Sequence, residues 1–242
     1  MMRLLFIRHG DPDYVHDSLT EKGQKEVEYL ADRLEKIRAD AYFLSPLGRA
    51  QRTGEATLRR IGKTGKTLDW LQEFTETCIL PETGEKHLIW DFMPSFMDRY
   101  PQLYSERDWL EVPFIQQSGV PAAYGRVCDG IDDLLADYGY TRKRTYYEVK
   151  KANRKTLVFF CHFGATAVIL SHLFNMSPTA IMQHFSAAPS SVTTVYTEER
   201  ECGIASFRCS AYGDISHLYA ADELPAFAGR FCETFDDETE RH

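Results

Sequence analysis

The chain has 242 residues, 43% of them hydrophobic and 13% aromatic, the make-up of a globular protein large enough to bury a substantial core, which excludes global disorder. Its formal net charge of -8 excludes a general nucleic-acid binder and requires that any anionic ligand be met by a local cluster of cations. The six cysteines (78, 128, 161, 202, 209 and 232) include no Cys-x-x-Cys pair, so they read as reduced thiols rather than as a disulfide framework or a zinc site.

No apolar run approaches the roughly 18 residues of a membrane span, and the stretch 1–7 is too short for a signal peptide. A cytoplasmic protein with no membrane partner is expected. Residues 4–7 form a continuous apolar run, the mark of a buried strand, which stops abruptly at Arg8, His9 and Gly10. In an open α/β sheet ligands bind at the carboxyl ends of the strands. Arg8 and His9 are therefore expected on the floor of a cleft, with Gly10 allowing a sharp turn and the close approach of an anion.

A polar loop, 11–18, leads to Thr20, the expected N-cap of a helix with Val27, Leu30, Ala31 and Leu34 at helical spacing. Ala41–Leu44 reads as a second strand. Ser45-Pro46 ends it, with Pro46 expected in the first turn of a helix running through Gly48, Arg49 and Thr53. Residues 67–70 read as a third short strand leading into Leu71-Gln72-Glu73.

From 75 to 121 the pattern changes, with five prolines and a series of aromatics in which Phe92, Phe96, Tyr100 and Tyr104 recur every four residues. Pro94 and Pro101 must limit any helix there. This stretch is expected to be an insertion over the strand ends, its aromatics packing a small satellite core rather than lining a substrate pocket. Val127, Ile131, Leu134, Leu135 and Tyr138 then mark an amphipathic helix. The segment 142–155 carries seven basic residues in fourteen and reads as a solvated hairpin or linker rather than a nucleic-acid patch.

Residues 156–161 form the clearest strand, running into His162-Phe163-Gly164 before a helix over 165–174, and so repeat the layout of 4–10. Residues 192–196 and 204–211 read as paired strands around a turn at 199–203, and the acidic tail after Glu223 is expected to fray or dock only partly. The fold expected is α/β: a three-layer α/β/α sandwich with a mostly parallel sheet, one domain over 1–242 with the inserted subdomain 75–121 above the strand ends.

Four motifs stand in order along this framework: Arg8-His9-Gly10; Ser45-Pro46-Leu47-Gly48-Arg49-Ala50 with Thr53; Leu71-Gln72-Glu73; and His162-Phe163-Gly164. With Leu19-Thr20 and Gly23-Gln24 between the first two, the chain closely resembles the histidine phosphatase superfamily, also called the phosphoglycerate mutase-like family. The resemblance runs from residue 4 to Ser216-His217-Leu218, which looks like that family's last core strand.

The resemblance implies a metal-independent phosphomonoesterase acting on a small phosphate ester through a phosphohistidine. His9 would be the nucleophile, and Arg8 and Arg49 the planar forks that grip phosphoryl oxygens. His162 would donate to the same oxygens, Gly10 and Phe163 would complete the phosphate pocket, and the helix starting near Ala165 would add backbone N–H groups. Glu73 matches the position of the acid that protonates the leaving alcohol, with Asp91 and Asp11 in reserve. No metal site and no cofactor are expected, since the eight histidines include no His-Glu-x-x-His or comparable cluster. The expected partner is a small phosphorylated substrate, not nucleic acid, and a homodimer stays open.

Two departures accompany the resemblance. The loop Asp11-Pro12-Asp13-Tyr14-Val15 lacks the asparagine-like residue of mutase-type members, and Phe163 replaces a glycine directly after the second histidine. Arg52 is expected to face solvent, His172 and His184 to pack or face solvent, and Cys161 to point into the core by alternation along its strand. A phosphoglycerate mutase-type phosphotransferase and a non-catalytic phosphoryl-binding protein are the alternatives. The aromatic insertion suggests a hydrophobic or aromatic ester.

Overall fold

Alternation along one strand sets the layers. In the computed structural model, which describes residues 1–226, 228, 234–237 and 239, strand β1 (Arg3–Arg8) sends Leu4 and Phe6 into one apolar cluster and Leu5 and Ile7 into another. That is the period of a strand buried on both faces. A small hairpin, β2 (Pro12–Asp13) and β3 (Ser18–Leu19), precedes helix α1 (Glu21–Leu34); β4 (Ala41–Leu44), α2 (Gly48–Ile61) and β5 (Lys66–Thr67) follow. The next stretch holds the paired strands β6 (Thr77–Ile79) and β7 (Lys86–Leu88), the short helices α3 (Pro94–Arg99) and α4 (Pro113–Gln116), and the long helix α5 (Val120–Asp137). A second hairpin, β8 (Tyr140–Arg142) and β9 (Tyr147–Val149), leads to β10 (Thr156–Cys161), α6 (Phe163–Phe174), α7 (Pro178–His184), β11 (Val192–Glu201), β12 (Ile204–Asp214) and α8 (Ser216–Ala220).

The main sheet has the order β5-β4-β10-β1-β11-β12-β9-β8. Its first four strands are parallel neighbours, and β11 and β9 alone run against the rest, which makes it the mostly parallel sheet expected. Helices α1 and α2 cover one face through Leu30, Leu34 and Leu58. Helices α5 and α6 cover the other through Val127, Ile131, Ala167 and Val168. Phe6, Phe43 and Phe159 stack across three strands at 4.9 and 5.1 Å on that second face, adding aromatic contact to the area they bury.

Local signals explain most element ends. Thr20 caps α1, its Oγ1 accepting from the Gly23 N–H at 3.0 Å, and the buried face of the helix includes Val27, Leu30, Ala31 and Leu34. Gly62, with φ 64°, closes α2 in the left-handed conformation. Other ends differ from expectation. Helix α2 starts at Gly48, so Pro46 lies in the turn before it; the Gly48 N–H is free of the helix ladder and donates to Asp17 Oδ2 at 2.6 Å. Strand β5 ends at Thr67 and gives way to a 3-10 turn, Asp69–Leu71. Helix α5 reaches back to Val120 because Pro121 suits a first helical turn.

The insertion does not form a satellite core. Phe92, Phe96, Leu103, Trp109 and Ile115 join the same apolar cluster as Phe6 and Phe159, because α5 and α6 carry apolar residues that the insertion covers. Its aromatic series is a packed ladder, with Phe92 to Phe96 at 5.1 Å and Phe96 to Tyr100 at 4.9 Å. The basic segment is a hairpin, as expected, but Arg142 is half-buried: it donates to the His172 carbonyl and to Asn175 Oδ1, each at 2.7 Å.

Ser216-His217-Leu218 is not a strand. Asp214 Oδ1 accepts from the Ser216 N–H at 2.8 Å, ending β12 and opening α8 instead. Past Glu223, the chain docks on α1 where Lys22 donates to Glu223 Oε1 and the Leu224 carbonyl and the Ala226 N–H donates to Glu26 Oε1. Much of the acidic tail, and Cys232 with it, lies outside the described residues. The other five cysteines are free thiols. Among the described residues no helix is long and apolar enough to cross a membrane.

Candidate active site

Strand pairing builds the floor of the site. In the parallel pair β1 and β10, Arg8 lies opposite Cys161, so the residues leaving the two strands, His9 and His162, sit side by side with ring centroids 5.1 Å apart. Both rings are buried. Burial holds the His9 imidazole well below its ordinary pKa, reinforced by the Arg8 and Arg49 charges; for His162 burial again dominates, with His9 and the two arginines adding to it.

Each ring is fixed through one nitrogen. His9 Nδ1 lies 2.8 Å from the Gly10 carbonyl oxygen; a carbonyl only accepts, so Nδ1 carries the proton and Nε2 keeps its lone pair. His162 Nε2 lies 2.8 Å from Ser45 Oγ, which accepts from the Leu47 N–H at 3.2 Å. In the tautomer in which Ser45 donates to His162 Nε2, the ring proton sits on Nδ1, a buried atom with no hydrogen-bond partner.

Two guanidiniums flank the rings. Arg8 donates from Nη1 to the Ala187 carbonyl, and Arg49, in the first turn of α2, donates from Nη1 to Asp17 Oδ1 at 2.7 Å. The Nε atoms of both arginines are buried and have no partner. Burial works against the charged Asp17 carboxylate, but the Gly48 N–H and Arg49 outweigh it and hold the group below the usual carboxylate range. Gly48 is needed for this approach, because a Cβ there would stand 2.2 Å from the Asp17 carbonyl oxygen. Asp17 itself adopts a φ of 46°, a conformation aspartate tolerates better than most residues. The ring of Tyr14 lies 5.4 Å from Arg49 Cζ.

Glu73 follows the 3-10 turn and reaches α6. Its Oε1 accepts from the Phe74 N–H (2.9 Å) and the Ala165 N–H (3.2 Å), leaving Oε2 for a proton. Burial pushes this carboxyl up, against the pull of the two N–H groups and Arg8. The Ala165 N–H, expected to face a phosphate, is thus taken by Glu73. Gly164 fits because a Cβ there would come within 2.7 Å of Glu73 Oε1.

One donor atom from each of His9, Glu73 and His162 lies within 4.8 Å of the other two, a grouping that could ligate a metal. Three residues so far apart in the chain gave no such signal in sequence. The flanking guanidiniums, however, oppose a cation and favour an anion at this place.

Other expected residues do different work. Gly10 donates its N–H to Thr53 Oγ1 at 3.0 Å, and a Cβ on it would meet Val27 Cγ1 at 2.8 Å and the Gly23 carbonyl oxygen at 2.9 Å. Its missing side chain lets α1 approach; no anion need enter the explanation. The Phe163 side chain is buried in the apolar cluster beneath α6. Asp11 turns to α1, accepting from Thr20 Oγ1 at 2.6 Å. Asp91 follows β7, its carbonyl oxygen 2.7 Å from His87 Nε2. Arg52 is exposed beside Glu55, His172 pairs with Asp132 at 2.9 Å, and His184 stacks on Tyr104. Cys161 is a core residue, its thiol pushed up to about 12 by burial. Asp17 escaped sequence reasoning altogether, and Ser45 and Tyr14 stood only as letters within a motif and a loop.

Residues 4–84, which include Arg8, His9, Arg49 and Glu73, match the family model described as histidine phosphatase superfamily (branch 1). Over that third of its length the chain is similar to the histidine phosphatase superfamily. Solved structures agree on the fold. A phosphoserine phosphatase mutant from Entamoeba histolytica in complex with phosphoserine aligns with TM-score 0.59 at 20% identity, over 90% of this chain and 100% of that one. A mycobacterial glucosyl-3-phosphoglycerate phosphatase aligns with TM-score 0.56 at 18% identity, over 88% and 99%. The alpha-ribazole phosphatase of Shigella flexneri gives 0.55 at 19%, over 88% and 97%. Among curated proteins no sequence match is found. The second histidine, His162, lies outside the matched stretch and joins the site through the pairing of β1 with β10.

Proposed function

We propose that the chain is a phosphomonoesterase that needs no metal and works through a phosphohistidine at His9. The observation that carries this reading is a set of buried polar atoms without partners, Arg8 Nε, Arg49 Nε and His162 Nδ1, on the three residues whose charge or ring lies beside His9. Buried donors in that condition are costly, and a phosphoryl group, with three equatorial oxygens that gain charge in transfer, is the kind of ligand that satisfies them together. The phosphatase names of the similar structures support the same reading.

The residues divide the reaction simply. The Nε2 lone pair of His9 forms a bond to phosphorus as the bond from phosphorus to the alcohol oxygen breaks, and Glu73 gives that oxygen its proton. Water then attacks phosphorus and hands a proton to Glu73, while the phosphorus–nitrogen pair returns to Nε2 and phosphate leaves. Burial suits Glu73 to this, since it raises the carboxyl's pKa and so favours the protonated form. Charge on the phosphoryl oxygens is met by the two arginines. The substrate class is a small phosphate ester.

Hydrolysis of p-nitrophenyl phosphate at pH 6, with and without EDTA, tests the proposal in the parent and in His9→Ala. Activity that survives EDTA, disappears in the variant and accompanies an acid-labile phosphoryl label on the parent protein is the expected result. Parent-level turnover by His9→Ala, or loss of turnover in EDTA, would overturn it.

A further inference from the structure

The β2–β3 hairpin crosses beside both arginines, yet the reaction as written uses nothing from it. Tyr14, 64% exposed near its tip, stacks over the Arg49 guanidinium at 5.4 Å and turns its hydroxyl to the Arg8 side chain. A guanidinium has donors and no acceptor. The phenol oxygen beside Arg8 can therefore only accept from it, and the phenol's own hydrogen is left to donate elsewhere. The acceptor that Arg8 and Arg49 are arranged to hold is an oxyanion.

Three residues further along, Asp17 takes Arg49 Nη1 on one carboxylate oxygen and the Gly48 N–H on the other. That grip ties the guanidinium to the start of α2 and leaves its Nε buried without a partner. One short hairpin thus touches both arginines, with a ring and hydroxyl at one point and a carboxylate at another.

We propose that Tyr14 contacts the substrate, its hydroxyl donating to a phosphoryl oxygen held by Arg8 and Arg49, and that Asp17 is the positioning residue that sets the Arg49 fork beneath it. This rests on the phosphatase reading and adds to it a fourth donor, from a hairpin outside the sheet. The competing account makes Tyr14 a loop aromatic that merely stacks on Arg49. Tyr14→Phe separates the two, because it keeps the ring and removes only the hydroxyl.

The experiment measures p-nitrophenyl phosphate kinetics, inhibition by inorganic phosphate, calorimetric phosphate binding and Tm for the parent, Tyr14→Phe, Asp17→Asn, Arg49→Ala and the Asp17→Asn/Arg49→Ala pair. Loss of one hydrogen bond to a charged acceptor predicts phosphate binding about tenfold weaker in Tyr14→Phe, with Tm unchanged. Asp17→Asn should raise KM and weaken phosphate binding, and both effects should vanish when Arg49 is already alanine, as they must if Asp17 acts through it. Parent-like phosphate affinity in Tyr14→Phe overturns the contact, and additive effects in the double variant overturn the role of Asp17. Should the parent hydrolyse nothing, the phosphatase reading fails, while phosphate binding by parent and Tyr14→Phe still decides for or against the tyrosine.

Discussion

The His9 N–H donates to the Cys161 carbonyl at 3.1 Å across a parallel strand pair, and this bond places the proposed nucleophile beside His162. Two short strands that each end in a histidine thereby form one site. Register carries the relationship: a slip of one residue would turn every side chain of one strand to the other face.

Glu73→Gln should separate leaving groups. An alkyl alcohol needs a proton as it departs, whereas p-nitrophenol leaves readily as the anion, so the variant should lose about 10²- to 10⁴-fold on an alkyl phosphate and far less on p-nitrophenyl phosphate. Equal losses on both esters would show that Glu73 is not the acid.

The pH profile follows from two opposite shifts. His9 must be neutral to attack, and its depressed pKa puts the acidic limb of kcat/KM below the ordinary histidine value of about 6.5. Glu73 must be protonated to donate, and its raised pKa puts the alkaline limb above the ordinary glutamate value of about 4.3. The alkaline limb should fade with p-nitrophenyl phosphate as substrate. A limb that persists unchanged would assign it to another group.

Ser45→Ala removes the partner of His162 Nε2 without touching the substrate. The ring then loses the bond that sets its proton on Nδ1, and kcat/KM should fall about tenfold, in line with the loss of one hydrogen bond. Nitrogen NMR of the His162 ring checks the cause, the parent showing the Nδ1–H tautomer and the variant a mixture. A parent-like spectrum in the variant would dismiss the serine's role.

Gly164→Ala tests how tightly Glu73 is held. The added methyl would stand 2.7 Å from Glu73 Oε1, and the carboxylate must move from the start of α6. Overpacking of this kind costs about 1–3 kcal/mol, and alkyl phosphate turnover should drop with it while p-nitrophenyl phosphate is spared. Unimpaired hydrolysis of both esters would count against the position assigned to Glu73.

Glu26 makes stability depend on pH. Fully buried in α1, it accepts from the Asp11 and Ala226 N–H groups, and burial raises its pKa to about 7. A carboxyl with a raised folded pKa binds more protons in the folded state, so its contribution is lost as pH climbs from the unfolded value of about 4.5 through 7, by about 3 kcal/mol at most. His9 and His162, with depressed values, lose stability in the other direction, as pH falls below about 6.5, and they are common to both proteins. Calorimetry of the parent and Glu26→Gln at pH 5 and 8 should show their stability difference shifting in favour of the variant at pH 8. A constant difference would refute the linkage.

Most of the framework was legible in the sequence. The run 156–161 is apolar on both faces and became β10, buried at every position; the face of α1 was fixed by apolar spacing and its start by Thr20. Less legible are places where a local side-chain bond accompanies a change of element, as at Asp214, whose carboxylate accepts from the Ser216 N–H where a strand is expected and α8 begins instead. Composition marks a boundary at the insertion, while burial follows the apolar surface available to cover, so its aromatics join the main cluster.

Sequence by itself determined the strands, the buried helix faces and the candidate set of Arg8, His9, Arg49, Glu73 and His162, since periodicity and motif order are local properties of the chain. Only tertiary structure decided which partners set their charge and direction. Asp17 meets Arg49 across 32 residues, Glu73 meets the Ala165 N–H across 92, and Ser45 meets His162 across 117. Such pairings depend on strand register and on how closely a glycine lets two segments approach, and no short-range pattern in the residues encodes either.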